Sequence, residues 1–199
     1  MFFACGKTGT TSIEKMLDRY HDDRDILKKA DAELRRLRKE EGKPYALKHV
    51  RPSLVRKFMT DEVWNSYFKF VFVRNPWDWI LAQFCYNHDS DVLATLSRFR
   101  KVHLEAIWHI LKIHNQVAES ENYFQSDFAF SRDGKPLVDF IGRFESIQTD
   151  YNKICERIGI KTDKLPHENK GNHVDYRLLY TPETKELVRK LYHRDIELL

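Results

Sequence analysis

The sequence predicts an α/β fold built on a mostly parallel sheet. Three observations carry this expectation. Short apolar runs of strand length alternate with stretches of helical periodicity along the whole chain. SYFKFVFV, at positions 66–73, is the densest run of aromatic and β-branched residues and reads as a strand. At the start, MFFACG passes through KTGTTS into the helical SIEKMLDRY, which is a strand, a tight loop and a helix in succession.

The elements follow in order. Met1 to Cys5 reads as a short buried strand and Thr10 to Tyr20 as its helix. From Asp25 to Lys43 the chain is highly charged, with Leu27, Ala30, Leu34 and Leu37 forming one thin apolar stripe at helical spacing. Gly42 and Pro44 end that helix. YALKHV reads as a second strand and RPSLVRKFM as a helix. After SYFKFVFV, Pro76 of RNPWDW suits the first turn of a new helix. Arg100 to Val117 is strongly helical. SDFAFSRDGKPLVDFIGRFE reads as two strands joined by a turn at Asp133–Gly134. Asp150 to Ile158 is helical, LPHENKGNHVDY is a polar loop, and Glu183 to Leu198 closes the chain as a helix. There are no repeats and no low-complexity linker, and 199 residues suit one domain over 1–199.

Composition narrows the function classes. Hydrophobic residues make up 42% and aromatics 13%, enough for a buried core and against disorder. A net charge of +4 suits an anionic ligand but is too weak and dispersed for nucleic acid. Cys5, Cys85 and Cys155 are widely spaced and odd in number, so they form no disulfide framework and no zinc pattern. The nine histidines make no metal-ligand pairs. No apolar run has membrane-spanning length, and MFFACGK lacks the basic region and cleavage site of a signal peptide. A soluble cytoplasmic protein is the expectation, with no membrane span and an oligomeric state the sequence leaves open.

The first candidate site is the loop. Main-chain N–H groups at a helix start point at a ligand, and the helix dipole favours negative charge there. Gly9 permits close approach, Thr10, Thr11 and Ser12 add hydroxyls, and Lys7 adds a mobile positive charge. A plain helix start reads the same way, since Thr and Ser are good caps. Gly6-Lys7-Thr8 imitates the end of a nucleoside-triphosphate loop, but that motif needs glycine at position 1, where Met1 stands. SYFKFVFV leads into Arg74 and not into an aspartate that would hold magnesium, which disfavours hydrolysis of ATP or GTP. Arg74 follows a strand end, the usual ligand edge of an open α/β sheet, and its fork suits a phosphate. A structural arginine paired with Asp78 is the alternative.

Taken together, KTGTTS after a first strand, Lys48-His49 after a second, FVFVRNP, DFIGRFE and LPHENKGNH resemble the sulfotransferases over essentially the whole chain. The likeness is strongest to the branch that includes the carbohydrate sulfotransferases and their bacterial relatives. It implies a P-loop-like three-layer fold, with a central sheet flanked by helices, that binds 3′-phosphoadenosine 5′-phosphosulfate. On the resemblance, Lys7, Thr8, Gly9, Thr10, Thr11 and Ser12 hold the 5′-phosphosulfate and Arg74 the 3′-phosphate. Lys170 in the late loop, or Asn172 or His173 beside it, lines the 3′-phosphate. Trp79 and Ala82 stand where the family usually places an arginine and a serine, so a hydroxyl on the 3′-phosphate is missing.

The implied chemistry is an in-line displacement at sulfur, driven by positioning and charge stabilisation. Lys7 steadies the leaving phosphate oxygen, His49 is the base for the acceptor hydroxyl, and no metal is required. A histidine merely bonded to a backbone carbonyl is the bland alternative for His49. Lys48 alternates to the opposite strand face and reads as solvated or structural. Arg143 and Glu145 either order the site or form a structural ion pair, Glu145 being the weaker candidate base. The helix bearing His103, Trp108, His109 and His114 reads as core aromatics and surface histidines, and the charge run from Arg24 to Lys43 as a solvated face. The acceptor is a hydroxyl, a carbohydrate above a lipid or small alcohol. The competing expectations are a degenerate protein that binds the nucleotide or an anionic glycan without turnover, and a small-molecule kinase.

Overall fold

The structure, a computed structural model, describes residues 1–20, 49–87, 124–166 and 175–199, with main chain alone at 84–87. The chain divides into two compact units: Met1–Val73 with Asp127–Glu168, and Arg74–Ser126 with Asn169–Leu199.

Among the described residues, the first unit holds a parallel three-stranded sheet in the order β1 (Phe2–Phe3), β2 (Phe70–Val73), β3 (Phe140–Arg143). Phe2 and Phe3 sit opposite Phe70 and Val71, and Phe70 to Val73 sit opposite Phe140 to Arg143. All four β2 residues are buried, as a central parallel strand covered on both faces requires. Alternation sends Phe2, Phe70 and Phe72 to one face. Phe2 stacks on Phe70 at 5.2 Å between ring centres. There the rings meet Ile13 and Met16 of helix α1 (Thr10–Leu17), and Tyr151, Ile154 and Cys155 of an amphipathic helix over Ile147–Ile158. On the other face Phe3 meets Trp64 at 6.2 Å. Trp64 lies on α3 (Asp61–Ser66), which follows α2 (Pro52–Arg56) and starts at a Thr60 cap. Helices on both sides of a parallel sheet make this an α/β fold of the P-loop-like kind. Gly142 is dictated by the neighbouring strand, because a Cβ there would stand 2.5 Å from the Phe72 ring.

The second unit packs α4 (Pro76–Asn87) against α6 (Pro182–Leu191) and the short α7 (His193–Leu198); the helix over Ile147–Ile158 is α5 in chain order. Its core is Trp79, Ile80, Leu81, Leu179, Val188 and Tyr192. Tyr192 meets Trp79 and Phe124 edge-on, at 5.8 and 5.5 Å. Burial pushes its phenol pKa well above the ordinary value, with the Asp195 carboxylate adding to the shift.

Several expectations on local structure need correction. The first strand covers only Phe2–Phe3. SYFKFVFV pairs only from Phe70, because Ser66 still belongs to α3 and Lys69 turns its ammonium onto the Trp64 and Tyr67 carbonyls. RPSLVRKFM shrinks to Pro52–Arg56, and the following helix α3 was not anticipated. The first of the two strands in SDFAFSRDGKPLVDFIGRFE is instead a 3₁₀ turn over Gln125–Phe128, followed by a single bridge between Phe130 and Pro136 around the Gly134 turn. The last helix breaks at Tyr192, whose ψ of 25° leaves the helical range. His49 and Val50 are not in a strand, and Tyr45–Lys48 lie outside the described residues. The charged helix expected over Asp25–Lys43 and the one over Arg100–Val117, with His103, Trp108, His109 and His114, also lie outside them.

Candidate functional site

The loop after β1 is built to gather N–H groups. Ala4 and Cys5 carry the strand's direction inward, both buried. Lys7 then adopts φ of 62° and Gly9 φ of 77°, with Thr8 between them at negative φ. A lysine in the left-handed region costs roughly 1–2 kcal/mol, so the surrounding fold imposes it. Left-handed residues of this kind recur in the main-chain concavities that bind anions. Helix α1 then starts at Thr10. Its N-cap residue, Gly9, has no side chain to cap it, and no acidic residue occupies its first turn. The Ser12 and Ile13 N–H groups already donate to the Gly9 carbonyl at 3.1 and 3.3 Å. The positive end of the helix is therefore presented by the N–H groups of Thr10 and Thr11.

The four hydroxyls are not equivalent. Thr8 is fully buried and donates to the Cys5 carbonyl at 2.7 Å, so it braces the base of the loop from inside. Any part Thr8 plays toward a ligand falls to its main chain. Thr10 and Ser12 are buried, whereas Thr11 is exposed. Gly9 has a reason internal to the protein. Besides its φ, a Cβ there would lie 2.4 Å from Cδ1 of Ile147 and 3.4 Å from the Phe144 ring. The segment after β3 is packed directly beneath the loop.

His49 stands at the root of the same loop. Its Nδ1 lies 2.7 Å from the Ala4 carbonyl. A carbonyl oxygen only accepts, so Nδ1 carries the proton and, in the neutral ring, Nε2 holds the lone pair. The bond to a backbone carbonyl is thus present, and it also fixes the tautomer a base needs. Two residues on, Arg51 pairs with Asp127 at 3.5 Å and anchors the chain that carries His49.

Arg74 directly follows β2, opens the second unit and is buried. Its Nε donates to Asp78 at 2.7 Å, which is the pairing weighed as its structural role. Its main chain is clamped by Gln125: the Arg74 N–H donates to Oε1 at 2.7 Å and Nε2 donates to the Arg74 carbonyl at 2.8 Å. The fully buried Asp195 accepts the N–H of Gln125 at 3.0 Å on one oxygen and that of Ser126 at 2.9 Å on the other. Gln125 and Asp195 escaped the sequence reading. The signal was there: Asp195 falls seven residues after Val188, on the apolar stripe that Leu191 and Tyr192 share.

Trp79 lies in the apolar core of the second unit, and Ala82 is half-buried on α4. Arg143 and Glu145 are exposed at the end of β3. The Arg143 main-chain N–H donates to Asp150 at 2.9 Å. Lys170, Asn172 and His173 lie outside the described residues.

A strand, a tight loop with a lysine and a helix, on a parallel sheet, place the protein in the P-loop-like class of α/β folds. The model of the sulfotransferase family matches residues 1–199, and the chain belongs to that family. It is a transferase by that membership. An uncharacterized protein of Archaeoglobus fulgidus is 25% identical over 124 residues, covering 62% of this chain and 94% of that protein. No solved structure matches. Among the described residues, no helix is long and apolar enough to cross a membrane, and no group of three His, Cys, Asp or Glu side chains could hold a metal ion.

Proposed function

We propose that the protein moves the sulfuryl group of 3′-phosphoadenosine 5′-phosphosulfate to a hydroxyl of a carbohydrate acceptor. Residues 1–199 are read as one sulfotransferase domain, the span of the family match. The observation that carries the reading is the loop itself: an uncapped helix start preceded by a lysine held in a left-handed conformation. Its N–H groups, together with Lys7, Gly9, Thr10, Thr11 and Ser12, receive the 5′-phosphosulfate. The Thr8 main chain adds to the cradle. Arg74 and Lys170 serve the 3′-phosphate.

The acceptor oxygen forms its bond to sulfur as the bond from sulfur to the 5′-phosphate oxygen breaks. The acceptor proton passes to Nε2 of His49, which the Ala4 carbonyl holds in the receptive tautomer. Negative charge developing on the departing phosphate is met by Lys7 and the helix start. 3′-Phosphoadenosine 5′-phosphate leaves. The location proposed for this reaction is the cytoplasm.

The test is transfer from the donor to a panel of glycans, read as sulfated product by mass spectrometry, without added divalent metal. Product should form with the wild type and vanish in Lys7→Ala. His49→Asn should lose about 10²–10⁴ in rate, the usual share of a general base. Binding without turnover is the second reading, and the burial and pairing of Arg74 with Asp78 favours it. Under that reading no acceptor is ever sulfated, and a missing melting shift with 3′-phosphoadenosine 5′-phosphate leaves an anionic glycan as the bound partner. At 100 times its dissociation constant the ligand adds about 2.7 kcal/mol. A shift with ATP and magnesium alone would overturn both readings in favour of a kinase.

A further inference from the structure

We propose that Gln125 and Asp195 are positioning residues that set Arg74 for 3′-phosphate recognition; this rests on the assignment of Arg74 made above. The ladder to β3 ends at Val73, opposite Arg143, so the N–H and carbonyl of Arg74 lie one residue beyond the last paired residue. Arg74 is buried, and polar main-chain groups there need partners. A carboxamide is the one neutral side chain that donates and accepts in the manner of a peptide group. Gln125 uses both ends on the same residue, at 2.7 and 2.8 Å, and so substitutes for an adjacent strand.

A glutamine can do this only if its own backbone is fixed. Asp195 supplies that. It is fully buried, and its two oxygens accept the consecutive N–H groups of Gln125 and Ser126, at 3.0 and 2.9 Å. The run is therefore Asp195, Gln125, Arg74, and then Asp78 on the guanidinium Nε at 2.7 Å. Every member of this run lies in the second unit. Arg74 is tethered on its peptide groups, by way of Gln125 from the C-terminal helix, and on its side chain, from α4. Together these tethers fix both the origin and the aim of the fork. Recognition of a phosphate by arginine depends on that geometry, since two N–H groups must meet two oxygens at once.

A side chain kept only to satisfy a buried backbone would affect folding and leave ligand discrimination alone. A positioning residue affects discrimination. The measurement is the ratio of the dissociation constants of adenosine 5′-phosphate and 3′-phosphoadenosine 5′-phosphate, by calorimetry on the full chain. The two probes differ only in the 3′-phosphate. Arg74→Ala should lower the wild-type ratio at least tenfold, leaving only the share that Lys170 supplies. Gln125→Met, which keeps the volume but not the hydrogen bonds, should reduce the ratio at least tenfold while leaving affinity for adenosine 5′-phosphate within about threefold. In the Arg74→Ala background Gln125→Met should have no further effect on it. If Gln125→Met does not yield folded protein, Asp195→Asn, which keeps one acceptor, carries the same expectation at a reduction of at least threefold. An unchanged ratio in the folded variant, with Arg74→Ala still lowering it, overturns the positioning role. A ratio unchanged by Arg74→Ala itself overturns the assignment of Arg74.

Discussion

Gly9 offers the cleanest separation of what the fold requires from what a ligand requires. In Gly9→Ala the new Cβ meets two penalties. The residue keeps φ near 77°, which for alanine costs roughly 1–2 kcal/mol. The Cβ also stands 2.4 Å from Cδ1 of Ile147, well inside contact distance, and overpacking of this kind costs about 1–3 kcal/mol. The expected loss is about 2–5 kcal/mol, measured by urea unfolding followed by far-ultraviolet circular dichroism. Ile147→Val deletes the offending methyl and alone costs about 0.5–1.5 kcal/mol. In the double variant the clash is gone and only the backbone strain remains. The two changes should then be coupled by about 1–3 kcal/mol in the favourable direction. Additive losses would refute the packing account of Gly9. The same double variant separates stability from binding. If the loop N–H groups must approach the 5′-phosphosulfate closely, restored stability should come without restored affinity for 3′-phosphoadenosine 5′-phosphate.

Two further predictions follow from the same geometry. Lys7→Gly should be more stable than Lys7→Ala by about 1 kcal/mol, because glycine relieves the left-handed strain at the cost of some chain entropy, and neither variant should transfer sulfate; an alanine variant as stable as the glycine one would refute the strain. Asp150 links β3 to α5. Burial alone would raise its carboxyl pKa, but Lys153, the Arg143 N–H and the Ser146 hydroxyl together hold it below the ordinary value. A group with a lowered folded pKa contributes stability that is present above its unfolded pKa of about 3.9 and is lost as pH falls through the folded value. Asp150→Asn should therefore cost about 1–2 kcal/mol, constant from pH 7 to pH 5 and shrinking below about pH 4, in urea unfolding across that range.

The parts of this protein that were legible in the sequence are those governed by local pattern. FVFV is continuous because β2 is covered on both faces, and Pro76 opens α4 since the first helical turn needs no proline N–H. The loop was legible as Gly9 followed by hydroxyl residues. Its direction was not. Nothing local indicates that Thr8 bonds inward to Cys5 or that Ile147, far along the chain, occupies the space a Cβ at Gly9 would take. The same limit explains the missed partners of Arg74. Gln125 lies 51 residues away, and Asp195 lies 70 beyond that. QSDFAF has the composition of a strand, yet the Gln125 and Ser126 N–H groups are taken by a carboxylate, and the segment coils into a 3₁₀ turn. A distant acceptor outweighed local propensity.

The Arg74–Asp78 pair lies between the two functional readings, and its geometry bears on them. An arginine whose charge is wholly committed to a buried carboxylate is a structural residue, and breaking such a pair exposes an uncompensated charge. Asp78 engages Nε at 2.7 Å, the stem side of the guanidinium. A carboxylate on the stem side immobilises the planar group and leaves its direction set. The charge of Asp78 lowers the net attraction for a second anion, while the rigidity lowers the entropy lost on binding one. The absence of a hydroxyl at Ala82 raises the importance of that balance, since one hydrogen bond to a charged group is worth about 1.5–3 kcal/mol. On the proposed donor site, with that donor missing from α4, recognition of the 3′-phosphate would depend more heavily on the aim of the Arg74 fork. It is for this reason that the buried clamp behind Arg74 is where the two readings diverge.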